Sequence, residues 1–115
     1  MTEVVSHDPA TPWNLRIDRR PDPEGVVLAL TGELDLASSP VLDRQLRELE
    51  GTNPGRLVID LSRLDFMDST GLAVMIRAQR AAQANGHRLS LRHGPTHILR
   101  LFELTGLLDH FTFED

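Results

Sequence analysis

The stretch Asp60-Leu61-Ser62-Arg63-Leu64-Asp65-Phe66-Met67-Asp68-Ser69-Thr70-Gly71-Leu72 decides how the chain is read. Leu57 to Ile59, just ahead of it, is a short apolar strand; the stretch opens as a polar turn, and Leu72, Met75 and Ile76 then recur on one helical face. Asp68 stands where an N-cap belongs. Its carboxylate can accept from one of the first backbone N–H groups, which have no partner within the helix. Ser69 takes the first helical position with its hydroxyl toward water. The helix is expected to run to about Ala84, where Asn85-Gly86 supplies a left-handed stop.

Upstream, Leu15 and Ile17 alternate with Asn14, Arg16 and Asp18 as in a half-buried strand, with Trp13 at its start. Pro21-Asp22-Pro23-Glu24-Gly25 should reverse the chain, with Gly25 at a positive φ, into a second strand from Val26 to Thr31. Gly32 to Leu36 reads as a connecting loop. Ser38 or Ser39 can then cap a helix with Pro40 at its tolerated first position and Val41, Leu42, Leu46 and Leu49 on one stripe. Gly51-Thr52-Asn53-Pro54-Gly55 breaks that helix. The strand Arg56 to Asp60 follows, continuously apolar in its middle, as a strand covered on both faces would be.

Downstream, Leu89 and Leu91 form a further strand, and Gly94-Pro95-Thr96 opens a third helix carrying Ile98, Leu99, Leu101 and Phe102 and ended by Thr105-Gly106. Leu107, Leu108, Phe111 and Phe113 complete the core. Strands alternating with helices argue for parallel pairing through right-handed crossovers, and the opening hairpin adds an antiparallel edge. The fold class is α/β: a mixed sheet with helices packed on it. Residues 1–12, rich in small, polar and proline residues, are expected to be a flexible tail.

With 115 residues and 40% hydrophobic content, the chain suits one domain. It has no cysteine, which excludes disulfides, thiol catalysis and cysteine-bound metals. Neither a signal peptide nor a run of about 18 apolar residues is present, so a cytoplasmic protein without a membrane partner is expected. The formal charge of −5 opposes binding to phosphate backbones, and nucleic acid is not an expected partner.

Several chemistries can be set against the central turn. Asp68-Ser69-Thr70-Gly71 has one residue too many for the Asp-Thr/Ser-Gly loop of aspartic proteases, and a second such loop is missing. Ser69 as a hydrolytic nucleophile would need a base, an oxyanion hole and a Gly-x-Ser-x-Gly elbow, and the elbow is absent. His93 and His97 have a metal-like spacing, but Gly94-Pro95 between them favours separate placements, so no metal site is expected. Gly71 alone does not make a phosphate cradle. Taken by itself, Asp68-Ser69 is also compatible with a plain helix cap.

Three motifs narrow the choice. They are Leu30-Thr31-Gly32-Glu33-Leu34-Asp35, the run from Leu57 through Phe66-Met67-Asp68-Ser69-Thr70-Gly71-Leu72, and Leu101-Phe102-Glu103-Leu104-Thr105-Gly106-Leu107. In order, spacing and residue type the chain resembles the anti-sigma factor antagonists, single-domain members of the STAS family, from about residue 13 to 114. The resemblance implies the STAS fold over 13–115: a mixed central sheet of about five strands with an N-terminal antiparallel hairpin and three to four helices. It also implies a non-enzymatic, cofactor-free bacterial regulator of transcription, as in stress responses. Unphosphorylated, such a protein binds an anti-sigma factor that is also an ATP-dependent serine kinase and so frees the sigma factor. Phosphorylation at the position of Ser69 releases it, and a PP2C-type phosphatase restores it.

Thr70, where many relatives have serine, makes a second acceptor available, and Ala73 replaces a frequent glycine. Partner contact is expected from Asp35, Leu36, Phe66, Met67, Asp68, Thr70 and Gly71, with Met67 the foremost surface residue and Leu34 and Leu72 in the core. Asp35, Asp65 and Asp68 would make that edge acidic. A ligand- or nucleotide-sensing STAS module is the alternative reading.

Overall fold

The computed structural model describes residues 4–6 and 14–114. Trp13, and the expected tail 1–12 apart from Val4–Ser6, lie outside the described residues. In chain order the elements are β1 (Val4–Ser6), β2 (Leu15–Asp22), β3 (Gly25–Leu34), α1 (Ser39–Glu50), β4 (Arg56–Met67), α2 (Ser69–Asn85), β5 (Arg88–Arg92), α3 (Thr96–Leu104), a 3-10 turn (Leu108–His110) and β6 (Phe113–Glu114). One six-stranded sheet runs in the order β1-β2-β3-β4-β5-β6. β1, β2 and β3 pair antiparallel, and β3 to β6 pair parallel, as alternation of strands with helices requires.

Each apolar stripe finds the same face of that sheet. Leu28 and Leu30 of β3, Leu57, Ile59 and Leu61 of β4, and Leu89 and Leu91 of β5 form a continuous core. Onto it α1 sets Val41, Leu42, Leu46 and Leu49, α2 sets Leu72, Met75, Ala78 and Ala82, and α3 sets Ile98 and Phe102. Phe102 meets Phe111 and Phe113 edge to face, at 5.3 Å between ring centres in both cases, which seals the β6 end. Arg77 of α2 joins Asp43 and Glu50 of α1, with 2.9 Å to Glu50. Gly86, at φ +80°, stops α2 at the expected place.

β4 is covered on both faces in its apolar middle, as expected, and the two covers differ. Val58 is fully buried on the face opposite the core, between Arg56 and Asp60 on the same strand. That face is laced with ion pairs instead: Arg56 to Asp22 and Glu114, Arg92 to Glu114, and Arg16 to Asp18 at 3.0 Å. Arginine stems cover apolar surface while their heads stay paired and wet.

Three local expectations are corrected. The turn between β2 and β3 is tighter than expected, with Pro21 opposite Val26 and Asp22 opposite Gly25, leaving Pro23-Glu24 as its tip. Gly25 is not among the positive-φ glycines; it is glycine because a β-carbon there would run into the Arg56 carbonyl on the neighbouring strand. β3 continues through Gly32-Glu33-Leu34, read as a loop, because Gly32 at φ +103° lets the strand kink where Asn14 presses on it.

The longest departure is β4, which runs on from Asp60 to Met67 through the stretch read as a turn. Two register shifts against β3, between Ala29 and Thr31 and between Gly32 and Glu33, add residues to β4. Asp60 supports one of them by accepting the Ser62 N–H at 2.9 Å. With bulges inserted, Leu61, Leu64 and Met67 are buried at a spacing of three, and the alternation that announces a strand disappears.

Gly25→Ala should therefore destabilise the fold by about 2 kcal/mol or more, as overpacking does, read as a lower urea midpoint at unchanged slope. Gly51→Ala is the matched control. Its β-carbon would meet only ordinary contacts at 3.5 and 3.6 Å, so neutrality or a slight gain is expected.

Candidate functional site

The last rung of the β3–β4 ladder delivers the site. Leu34 pairs with Met67, and the next residue, Asp68, still donates its N–H to the Leu34 carbonyl at 3.1 Å before the chain turns into α2. Asp68 is extended, at φ −103° and ψ −171°, the backbone an N-cap requires. Its Oδ1 accepts from the N–H of Thr70 at 2.9 Å and of Gly71 at 3.3 Å, and from the Thr70 hydroxyl. Burial pushes this carboxyl up, but the Thr70 hydroxyl and the N–H groups of Thr70, Gly71 and Leu36 outweigh it and hold the group below the usual carboxylate range.

That cap sorts the next residues into outward and inward ones. Ser69 is exposed, and among the described residues its hydroxyl makes no hydrogen bond. Thr70 is half-buried; besides its bond to Asp68, its hydroxyl lies 3.2 Å from the hydroxyl of Ser39, a buried residue at the start of α1. Gly71 is buried. A β-carbon on it would stand 2.7 Å from Met67 Cγ and 2.8 Å from Leu34 Cδ2, so its lack of a side chain lets the helix start sit down on the strand ends.

Two expected contact residues are thereby corrected. Met67 is only 5% exposed, because β4 runs on to it, its two register shifts together leave it on the face of Leu57, Ile59 and Leu61, and it packs beneath Gly71. Gly71, buried by the same packing, offers a partner no surface. Leu34 and Leu72 are in the core, as expected. The exposed apolar side chains at this end are Phe66, 46% exposed, and Leu36, 74% exposed.

Asp35 belongs to the same end but its carboxylate faces its own loop. Oδ1 accepts from the N–H groups of Ala37 and Ser38 and from the Ser38 hydroxyl, each at 3.1 Å, and Oδ2 accepts from Asn14 Nδ2 at 2.9 Å. Ser38, expected as a helix cap, stands at the N-cap but spends its hydroxyl on Asp35 and on the Glu33 carbonyl, the latter at 2.9 Å. Reading the sequence missed Asn14, Ser38 and Ser39 as members of the site. Only the Ser-Ser-Pro run hinted at two of them, and nothing local marked Asn14. Asp65 is exposed, and its carbonyl accepts from His97 Nε2, whereas His93 stacks on Phe113 at 4.9 Å, so the two histidines serve different contacts.

Asp68→Ala should cost about 1 kcal/mol of stability at neutral pH, the usual worth of an N-cap, measured by urea unfolding. Because the folded carboxyl is held below its ordinary value of 3.8, the contribution is complete above that value and lost as pH falls through the folded one. The gap between parent and variant should accordingly close in acid.

The comparisons with known proteins bear on the same residues. Residues 17–112 match the family model described as Mlab, STAS domain. An anti-sigma-B factor antagonist of Bacillus subtilis (strain 168) is 32% identical over 96 residues, spanning 84% of this chain and 87% of its own length. In fold, the chain is similar to an anti-sigma factor antagonist from Mycobacterium paratuberculosis, with a TM-score of 0.75 at 24% identity over 90% of this chain and 88% of that one. It is similar in the same way to the anti-sigma factor antagonist SpoIIAA in its unphosphorylated form, with a TM-score of 0.75 at 21% identity over 86% of this chain and 88% of that one. From the family match, the curated relative and the shared fold together, the chain belongs to the STAS-domain family of anti-sigma factor antagonists.

Proposed function

We propose that this chain is an anti-sigma factor antagonist whose binding is switched at Ser69. Unphosphorylated, it binds an anti-sigma factor that is also a serine kinase and so frees a sigma factor in the cytoplasm. Phosphorylation of Ser69 ends the complex, and a PP2C-type phosphatase restores it. The chain itself carries out no chemical step. The observation that carries this reading is an exposed serine hydroxyl at the first position of α2, without a hydrogen bond among the described residues, in a chain 32% identical to an anti-sigma-B factor antagonist.

The physics of such a switch follows from the surroundings of Ser69. A phosphoryl group brings about −1.5 to −2 charges at neutral pH, and a helix N-terminus is where the dipole favours them. Asp68 already satisfies two of the first N–H groups, so the phosphate would extend outward rather than replace the cap. The fold therefore loses little. A partner seated on a bare hydroxyl meets new bulk and charge beside an edge already carrying Glu33, Asp65 and Asp68, and a loss of about 3 kcal/mol weakens binding more than a hundredfold. Thr70 is the poorer acceptor. Its hydroxyl is engaged with Asp68 and Ser39, and reaching it would break the cap that shapes the site.

Incubation with the anti-sigma factor kinases of the same genome and ATP, followed by peptide mapping, should place a single phosphate on Ser69. Ser69→Ala should stay bound with or without ATP, and Ser69→Asp should bind at least tenfold more weakly than the parent. Phosphate retained on Ser69→Ala, or equal affinity of both variants, would overturn the assignment.

A further inference from the structure

The loop between β3 and α1 holds an acid and a leucine side by side, and they face opposite ways. Asp35 has three N–H donors on its carboxylate, two from the loop backbone and one from the Asn14 amide, and the Ser38 hydroxyl, which it shares with the Glu33 carbonyl, lies 3.1 Å from the same Oδ1. A carboxylate so engaged has little capacity left for a cation on another molecule. The next residue, Leu36, is 74% exposed, a poor place for a leucine in the free protein. Asp68 donates its N–H to the carbonyl of Leu34, two residues before Leu36, which brings this loop beside the start of α2 and Ser69. Phe66, the other exposed apolar residue at this end, stands on β4 opposite Glu33.

We propose that Asp35 is a positioning residue and that Leu36 is the side chain with which this loop grips the anti-sigma factor. Asp35 ties the loop into one shape, and that shape holds Leu36 out beside the switch serine. The occupant of the patch is the kinase of the proposed function, on whose reading this inference rests. Its matching face carries an apolar socket of leucine size next to the kinase site, with basic residues around it to meet the exposed Glu33 and Asp65 and the half-buried Asp68. Leu36 thereby becomes a determinant of which anti-sigma factor is chosen, and a phosphate on Ser69 would lie at the rim of the socket.

The conservative variant Asp35→Asn separates positioning from direct charge contact. An asparagine keeps the Oδ1 acceptor, and its amide can be met by Asn14, whose buried Oδ1 has no partner in the parent, once that side chain flips. Affinities for the purified anti-sigma factor kinases of the same genome, without ATP, are the first measurement. Leu36→Ala and Asp35→Ala should each lose roughly tenfold to a hundredfold. Asp35→Asn should recover most of what Asp35→Ala loses, and the double Asp35→Ala, Leu36→Ala should be no worse than the weaker single variant. The proposal is overturned if Asp35→Asn falls as far as Asp35→Ala while Leu36→Ala stays within about threefold of the parent.

Amide hydrogen exchange on the free protein is the second measurement. Protection at Ala37 and Ser38 should vanish in Asp35→Ala and persist in Asp35→Asn, and unchanged protection in Asp35→Ala would refute the positioning role. Should the parent bind none of the kinases, the proposed function falls, while the exchange result still decides what Asp35 does.

Discussion

Asp68 ties a strand end to a helix start. Its N–H closes the β3–β4 ladder on the Leu34 carbonyl, and its carboxylate takes the N–H groups of Thr70 and Gly71 at the start of α2. Each of these groups would otherwise be a half-buried polar atom without a partner, an expensive condition in a folded chain. With them joined at one residue, strand end and helix start have a single relative placement. Ser39 and Thr70 extend the junction to α1, hydroxyl to hydroxyl. The exposure of Ser69 is a consequence of this junction: the residues on either side are held inward, and the one between them is left facing water.

The bulges of β4 decide how many apolar residues reach the core at this end. An unbroken strand would carry Leu61 and Met67 to the core face with Leu57 and Ile59 and turn Leu64 away. Two register shifts against β3, one on either side of Leu64, bring Leu64 to the core as well and leave Phe66 outside. Gly71 then accepts Met67 from above, since any β-carbon would be within 3 Å of Met67 or Leu34.

What could be read from the sequence was whatever is decided locally. α2 was legible from its stripe, its aspartate cap and its Asn-Gly stop, because each acts within a turn of helix; the result agrees at both ends. The mixed sheet followed from the order of elements. The far half of β4 was not legible, since a bulge is agreed between two strands and erases the period by which either is recognised. Gly25 was assigned a turn's conformation when its reason lies on another strand, in the Arg56 carbonyl. Asp35 could be assigned to the site from the family resemblance, but which way its carboxylate faces depends on Asn14, twenty-one positions away. Met67 was misplaced along with the far half of β4: read in a turn it could face water, while in the strand it falls on the core face.

A site that must change charge without changing shape needs one hydroxyl that contributes nothing to the scaffold. Ser69 and Thr70 are adjacent and chemically alike, yet the structure gives them opposite standing. Removing or modifying the Thr70 hydroxyl would disturb Asp68 and, through Ser39, the start of α1. Ser69 has no such dependants among the described residues. The stability of this end of the fold and the exposure of Ser69 are therefore two results of one arrangement, in which an acid and a threonine absorb the local hydrogen-bonding demand. On the proposed reading this is why the switch can be local: charge added at Ser69 has only a partner to act upon, because the helix start beneath it is already held by bonds that the modification does not touch.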